Sequence, residues 1–382
     1  MKWGVAFALA AFALAGEARP APQSVPSPPV RWSPDDPMDG GNDLKITFPV
    51  RIVSRGEQVR GLPIAARQIA PVYTWQGRTW TVDDYMRAYN VSGVLVLKDG
   101  KVILERYAMG RSPTDRWVSQ SVAKSVTSLL AGAAIQDGKL RLDDQIVTFV
   151  PELKGSAYDG VTVRDLLMMS SGVEWQEGYV GADSDLARYY MAALKGDAVA
   201  DFLKTLARAH PPGTTFHYNT AEAHLAGLVV SRAVGMPLAD YLSQKIWQPY
   251  GMERDAAWHV DLQGRELAGC CLLMTLGDYA RLGQFALDDG VVDGRRITPP
   301  GWIAESTSRQ IDNGRAAPAG YGYLWWIGPE AYEASGIYGQ SILVYPKDRL
   351  VIAVNSAWPA PDAKELFAAL GAFQAAIHAA AK

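Results

Sequence analysis

The alternation of apolar and polar positions is sharpest at two places far apart in the chain. Val94-Leu-Val-Leu97 and Val102-Ile-Leu104 are short apolar runs flanking Lys98-Asp-Gly-Lys101, and Asp-Gly is the dipeptide that a tight hairpin turn favours. Near the C-terminus Ser341-Ile-Leu-Val-Tyr345 and Leu350-Val-Ile-Ala-Val354 flank Pro346-Lys-Asp-Arg349, which predicts a second hairpin. An Ala-rich helix over 363–381 follows. Between the hairpins the period turns helical. One helix is predicted over 121–136, stopped by Asp137-Gly138. Another opens at Thr162-Val-Arg-Asp165, a capping-box spacing, and runs through Met169. Further helical stretches fall at about 198–209, 220–233 and 238–247. Strands at both ends and helices between them predict an α/β (α+β) fold, with a mainly helical insertion and the site at their junction. The division is 75–140 with 268–382 as the α/β domain and 141–267 as the helical one. Residues 19–74 are then an extended leader and N-terminal segment, rich in Pro and Ser up to about residue 40.

Composition narrows this only a little. The 382 residues are 48% hydrophobic and 20% charged, which excludes a disordered tail, a collagen-like fibre and a coiled coil. A net charge of −3, from 37 basic and 40 acidic residues, excludes a polybasic surface for nucleic acid. Lys2, the uncharged run over 3–15 and the small pair Ala13 and Ala15 have the order of a secretory signal peptide, here 1–18. The run is shorter than the about 20 residues a membrane span needs, and no cysteine lies near the cut to take a lipid. Export to the periplasm or beyond is expected, without a stable membrane anchor. The only cysteines, Cys270 and Cys271, are adjacent. A bridge between neighbours strains the backbone, so two thiols are expected. The five histidines are scattered, so no metal site and no cofactor are expected.

Candidate chemistry starts on the helix over 121–136. At 100° per residue, Ser121, Lys124, Ser125 and Ser128 fall in one stripe about 100° wide, with Val122, Val126, Leu129, Leu130 and Ala133 on an apolar stripe. Burial disfavours a charged lysine, and a neutral lysine one turn from a serine can take its hydroxyl proton. A serine near a helix N-terminus also sets developing negative charge beside free backbone N–H groups. Ser-x-x-Lys alone is a common spacing; its weight comes from what lies downstream. Pro212-Gly-Thr-Thr-Phe-His-Tyr218-Asn219-Thr220 fixes Tyr218 on a loop ahead of a helix, where it can relay a proton. Ala334-Ser335-Gly336-Ile337 begins a strand whose edge can offer an N–H to an oxyanion, with Gly336 permitting close approach. His217 is expected to pack rather than act as a serine's base, because the chain has no Gly-x-Ser-x-Gly elbow. Trp325 and Trp326 are candidates for lining an acyl pocket or for the core under the sheet.

Taken in order, Ser121-Val-Ala-Lys124, Tyr218 after Pro-Gly, and Ser335-Gly336 resemble the serine β-lactamase and penicillin-binding-protein superfamily. The resemblance is greatest to class C-like esterases and 6-aminohexanoate-dimer (nylon oligomer) hydrolases. Leu166-Leu-Met-Met-Ser-Ser-Gly172 and Gly320-Tyr-Gly-Tyr-Leu-Trp-Trp326 support it, and it spans about residues 75–380. It implies a β-lactamase/transpeptidase-like fold, an antiparallel sheet flanked by helices, and a serine hydrolase acting on a small ester or amide. By resemblance Ser121 is the acylated nucleophile, Lys124 its base and Tyr218 the proton shuttle. The N–H groups of Ser121 and Ile337 form the oxyanion hole. Tyr179, Asn219, Ser335, Gly336 and Trp325 are implied in substrate binding. Two departures stand out: the family's Tyr-x-Asn has Thr220 in third place, and the cation that often opens the third motif is Ala334. Both argue against the alternatives of β-lactamase and D,D-peptidase, and the retained Ser121, Lys124 and Tyr218 argue against a non-catalytic cell-wall ligand-binding module.

Overall fold

Strands from the two ends of the chain meet in one seven-stranded antiparallel sheet. Its order is Gly320–Tyr321, Trp326–Ile327, Tyr332–Gly336, Gln340–Tyr345, Leu350–Ser356, Val91–Lys98 and Lys101–Tyr107. The computed structural model describes residues 30–31, 49–179, 183–195 and 199–382. The signal peptide expected over 1–18 lies outside the described residues, as does the leader up to residue 48 apart from Val30–Arg31. Both expected hairpins are present, the first with Leu97 opposite Val102 across the Asp99-Gly100 turn.

The central strands are apolar at almost every position because both faces of the sheet are covered. Leu95, Leu97, Ile342, Val344, Val351 and Ala353 point into one core. There the helices Val122–Gln136 and Leu276–Leu287 pack. Their alternates Val94, Val96, Leu343, Ile352 and Val354 point into a second core with the C-terminal helix Lys364–Ala381 and the helix Val82–Ala88. The period of two is a division between two cores rather than between core and water.

A second sheet was not anticipated from the pattern. Val30–Arg31, Pro49–Val53, Ala256–His259, Leu272–Thr275 and Arg116–Val118 form five antiparallel strands. Their short lengths show no periodicity, and Pro49–Val53 pairs with a strand about 200 residues away. Between the sheets the chain is helical. The capping box at Thr162 is formed in both directions with Asp165. The stretch expected as a helix over 198–209 is helical only at Val199–Leu203, while Asp185–Lys195 is a helix that the pattern did not single out.

The helix Val122–Gln136 runs through the middle. Every residue from Val122 to Ala134 is buried, so its hydroxyls are cut off from water; two find partners inside, and that of Ser128 has none. Ser125 Oγ donates to the Leu324 carbonyl at 2.7 Å, and Thr127 Oγ1 to that of Ala268 at 2.9 Å. The expected polar stripe therefore divides: Ser121 lines a cleft with Lys124 buried behind it, whereas Ser125 is tied into the core.

Candidate active site

Ser121 sits at the N-cap of this helix, so the first N–H groups of the helix lie beside its hydroxyl. The turn delivering it is tight: Gln120 holds a φ of 45°, in the left-handed region that costs a non-glycine residue energy. Ser119 anchors the turn to the second sheet, its N–H donating to the Leu272 carbonyl at 2.8 Å and its Oγ accepting from Leu272 N at 3.0 Å. The other side is closed by Gly336. A Cβ there would stand 2.9 Å from the Ser119 carbonyl oxygen and 3.0 Å from Gln120 Cβ. This glycine is required first by the Ser119–Ser121 turn packed against it.

Lys124 lies one turn on, 2% exposed. Its Nζ is 2.9 Å from Ser121 Oγ, 3.0 Å from Thr220 Oγ1 and 2.8 Å from the Gly269 carbonyl oxygen. Burial lowers its pKa to about 8 against the opposing pull of Glu177, so about a tenth is free amine at pH 7 and about half at pH 8. Tyr218 faces it, with Nζ 5.0 Å from the ring centroid. Burial, then the charge of Glu177, pushes the Tyr218 phenol far above its usual range, opposed by a hydrogen bond with Ser121. Two proton-carrying groups therefore meet at Ser121 Oγ in different states: an amine able to accept and a phenol that keeps its proton. Trp326 stacks on Tyr218, rings 5.5 Å apart, and holds it in place.

The cleft measures about 590 Å³, and Ser121, Tyr179, Tyr218, Ser335, Gly336 and Ile337 all line it. Two residues implied as substrate contacts lie elsewhere. Asn219 is 1% exposed and caps the helix Thr220–Val234, its side chain accepting from Glu222 N. Trp325 is buried against Tyr332, and it is Trp326 that reaches the cleft. Leu324, at a φ of 61°, breaks the extended backbone just before the pair and sets which tryptophan faces which side.

Glu177 was missed at the sequence level. Its Oε1 accepts from the hydroxyls of Thr220 and Tyr179, the latter at 3.0 Å. Its Oε2 accepts from Trp175 Nε1 at 2.6 Å and Thr220 N at 2.9 Å. Its sole signal was an acid between aromatics in Trp175-Gln-Glu-Gly-Tyr179. His217 braces this loop, its Nε2 bonded to the Trp175 carbonyl at 2.7 Å. Thr220, noted only as a departure from the family pattern, supplies an oxygen to Lys124. The cysteines are a correction: Cys270 and Cys271 form a disulfide, accommodated by Cys271 at a φ of 70°, directly after the Gly269 carbonyl that holds Lys124. Among the described residues no group of three or more His, Cys, Asp or Glu side chains is gathered as a metal would need.

A helix-borne serine and lysine with a tyrosine opposite, set between an antiparallel sheet and a helical region, define a serine hydrolase of penicillin-binding architecture. Comparison with known proteins gives the particular family. Residues 80–376 match the family described as Beta-lactamase. A 6-aminohexanoate-dimer hydrolase of Paenarthrobacter ureafaciens is 33% identical over 288 residues, 71% of this chain and 73% of that one. The chain belongs to the Beta-lactamase family. Two solved structures share its fold. A provisionally named 6-aminohexanoate-dimer hydrolase from Bacillus anthracis has a TM-score of 0.78 at 24% identity, covering 87% of this chain and 91% of that one. The octameric penicillin-binding protein homologue from Pyrococcus abyssi has a TM-score of 0.59 at 20% identity, covering 77% and 76%.

Proposed function

We propose that this serine hydrolase cleaves small esters or amides, of the carboxylesterase or 6-aminohexanoate-oligomer type, through an acyl-enzyme on Ser121. The observation that carries the reading is the 2.9 Å approach of a buried Lys124 Nζ to Ser121 Oγ, with the Tyr218 ring facing the same amine. Lys124 takes the hydroxyl proton as Oγ bonds to the substrate carbonyl carbon. The N–H groups of Ser121 and Ile337 receive the oxyanion. Tyr218 protonates the departing oxygen or nitrogen, and the proton held on Lys124 restores the phenol. Water then attacks the acyl carbon by the reverse transfers, releasing the acid and free Ser121.

One cation in a cleft also lined by Glu177, Glu333 and Asp362 supports the oligomer type. Ala334 is buried and gives no cation from the strand, but Arg315 lies over Trp326 at 5.0 Å in the same cleft. A guanidinium there fits the free carboxylate of an aminohexanoate oligomer. The signal-like order over residues 1–18 supports export as its setting.

The test is intact-mass measurement after brief exposure to a fluorophosphonate, with Ser121→Ala in parallel and the adduct mapped by digestion. One adduct on Ser121, absent from the variant, is the expected result. Esters, 6-aminohexanoate oligomers and a chromogenic cephalosporin then sort the substrate, with the cephalosporin expected to be the slowest. An adduct elsewhere, or none, would sink the acyl-enzyme reading.

A further inference from the structure

A lysine that serves as a base must do more than lose its proton: its lone pair has to face the serine. A neutral amine has two N–H donors and one lone pair, and three oxygens surround Lys124 Nζ. The Gly269 carbonyl can only accept. Ser121 has the proton to be given. Thr220 is the ambiguous neighbour, since a hydroxyl can donate or accept. If Thr220 donated to Lys124 it would compete with Ser121 for the lone pair.

Glu177 removes the ambiguity. It accepts from four donors at once, two on each oxygen. No lone-pair direction remains for a proton of its own, so the group is a carboxylate. The single proton of the Thr220 hydroxyl is committed to it, and Thr220 Oγ1 can only accept from Lys124. We infer that Glu177 is a positioning residue for the acylation step: through Thr220 it aims the Lys124 lone pair at Ser121.

The arrangement suits both ends of the proton transfer. Before it, the two amine N–H groups go to Gly269 O and Thr220 Oγ1, and the Ser121 O–H points at the lone pair. After it, the ammonium has three N–H groups and three acceptors, the third being the oxygen that has just lost its proton. No neighbour has to turn, so little is spent on reorganisation as charge develops. Glu177 acts a second way, by charge, since it favours the protonated lysine against burial.

The other groups around Lys124 leave this role to Glu177. The helix Thr220–Val234 adds His224, whose burial, reinforced by the lysine's charge, keeps the ring neutral. Tyr218 remains a phenol. The segment carrying Gly269 brings a carbonyl and the Cys270–Cys271 disulfide. A Cβ on Gly269 would stand 2.5 Å from His224 Cδ2 and 2.8 Å from the Thr220 carbonyl oxygen, so that carbonyl is held close by packing.

This inference rests on Ser121 being the nucleophile, so the experiment reads acylation without needing the natural substrate. The second-order rate of fluorophosphonate labelling at Ser121 is measured from pH 5.5 to 10 in wild type, Glu177→Gln, Thr220→Val and Thr220→Ser. In that reaction Oγ–P forms, P–F breaks, fluoride leaves and the serine proton goes to Lys124. The wild-type rate is expected to rise with a midpoint near pH 8, where Lys124 titrates. Without the carboxylate the ammonium loses its stabilising neighbour, so the Glu177→Gln midpoint should fall by about one pH unit. Its plateau should drop about tenfold as the Thr220 rotor is freed. Thr220→Val should lower the plateau about tenfold, and Thr220→Ser should restore it.

A Glu177→Gln profile with an unchanged midpoint, fast or slow, would make the residue a brace for its loop and overturn the inference. So would Thr220→Val labelling as fast as wild type, a comparison that still decides if Glu177→Gln fails to fold. Wild type that never labels at Ser121 would overturn the hydrolase reading as well, whereas labelling with these variants unaltered overturns the positioning role alone.

Discussion

Two glutamates flank Thr220, and the protein treats them in opposite ways. Glu177, on the loop beside the cleft, receives four donors and carries its charge. Glu222, two residues into the helix, is buried beneath it, and its Oε1 receives the Ser171 hydroxyl and Asn219 Nδ2. Its Oε2 has no partner, nor does the buried Tyr158 hydroxyl. Burial pushes the Glu222 carboxyl up to about 8, with the Ser171 and Asn219 bonds only partly offsetting it. Glu222 therefore keeps its proton at neutral pH, whereas Glu177 is saturated with donors. Acidic residue type says little about charge inside a protein; the count of donors against the cost of desolvation decides it. Here the anion is the one next to Lys124 and the neutral group is the one in the helix foundation.

The widest separation between the two regions should come from Lys124→Met, which keeps an apolar stem and removes the amine. Loss of a general base lowers turnover by about 10²–10⁴-fold, so labelling at Ser121 should fall by that factor at pH 8. Stability should change far less than the labelling rate, since the cost of desolvating a cation disappears while the Gly269 carbonyl oxygen loses its donor. Calorimetry paired with the labelling rate checks this. A Lys124→Met protein that labels within tenfold of wild type would detach the Glu177 side from the chemistry altogether.

Glu222→Gln probes the other region, through stability. A carboxyl whose folded pKa lies above its ordinary value of 4.5 binds its proton more tightly folded than unfolded. Stability therefore falls as pH rises from about 4.5 to about 8, and levels off above that. From pH 5 to 8 the wild-type loss from this group is on the order of 2–4 kcal/mol. Glutamine is neutral throughout, so the variant should lack that slope while labelling at near the wild-type rate at pH 7. Urea unfolding at pH 5, 6.5 and 8 reads it; parallel curves for the two proteins would mean that Glu222 is ionised in the fold.

The helix Val122–Gln136, the Ser121–Lys124 spacing at its start and the loop position of Tyr218 were legible because each is local. Helical period, a Pro-Gly turn and one turn of separation are written in neighbouring residues. Both hairpins were legible for the same reason. Glu177 was not, because its importance is a convergence of Trp175, Tyr179 and Thr220 donors on one carboxylate, and Thr220 arrives from another part of the chain. The second sheet was hidden by strands as short as Arg116–Val118, which leave no period to read. Trp325 and Trp326 could be told apart only by backbone register. The rule that adjacent cysteines avoid pairing failed at Cys271, whose left-handed φ depends on the surroundings of one residue.

Asn219 offers the finest distinction, because it belongs to the Glu222 side although it neighbours Tyr218 in sequence. Its resemblance-based role was substrate contact, yet its Oδ1 accepts from Glu222 N at 3.1 Å and its Nδ2 donates to Glu222 Oε1 at 3.2 Å. Asn219→Ala removes a helix N-cap, which costs about 1 kcal/mol, and takes one donor from a carboxyl that is already short of them. The Glu222 pKa should then move further up, because that donor was lowering it. The steep part of the stability–pH curve should extend to higher pH with it. Labelling of Ser121 at pH 8 should stay within about twofold of wild type, since no cleft atom is lost. Unfolding midpoints and ester kinetics on the same preparation separate the two roles. A KM raised about tenfold at unchanged stability would return Asn219 to the substrate, and would mean that the helix start turns outward when the cleft is filled.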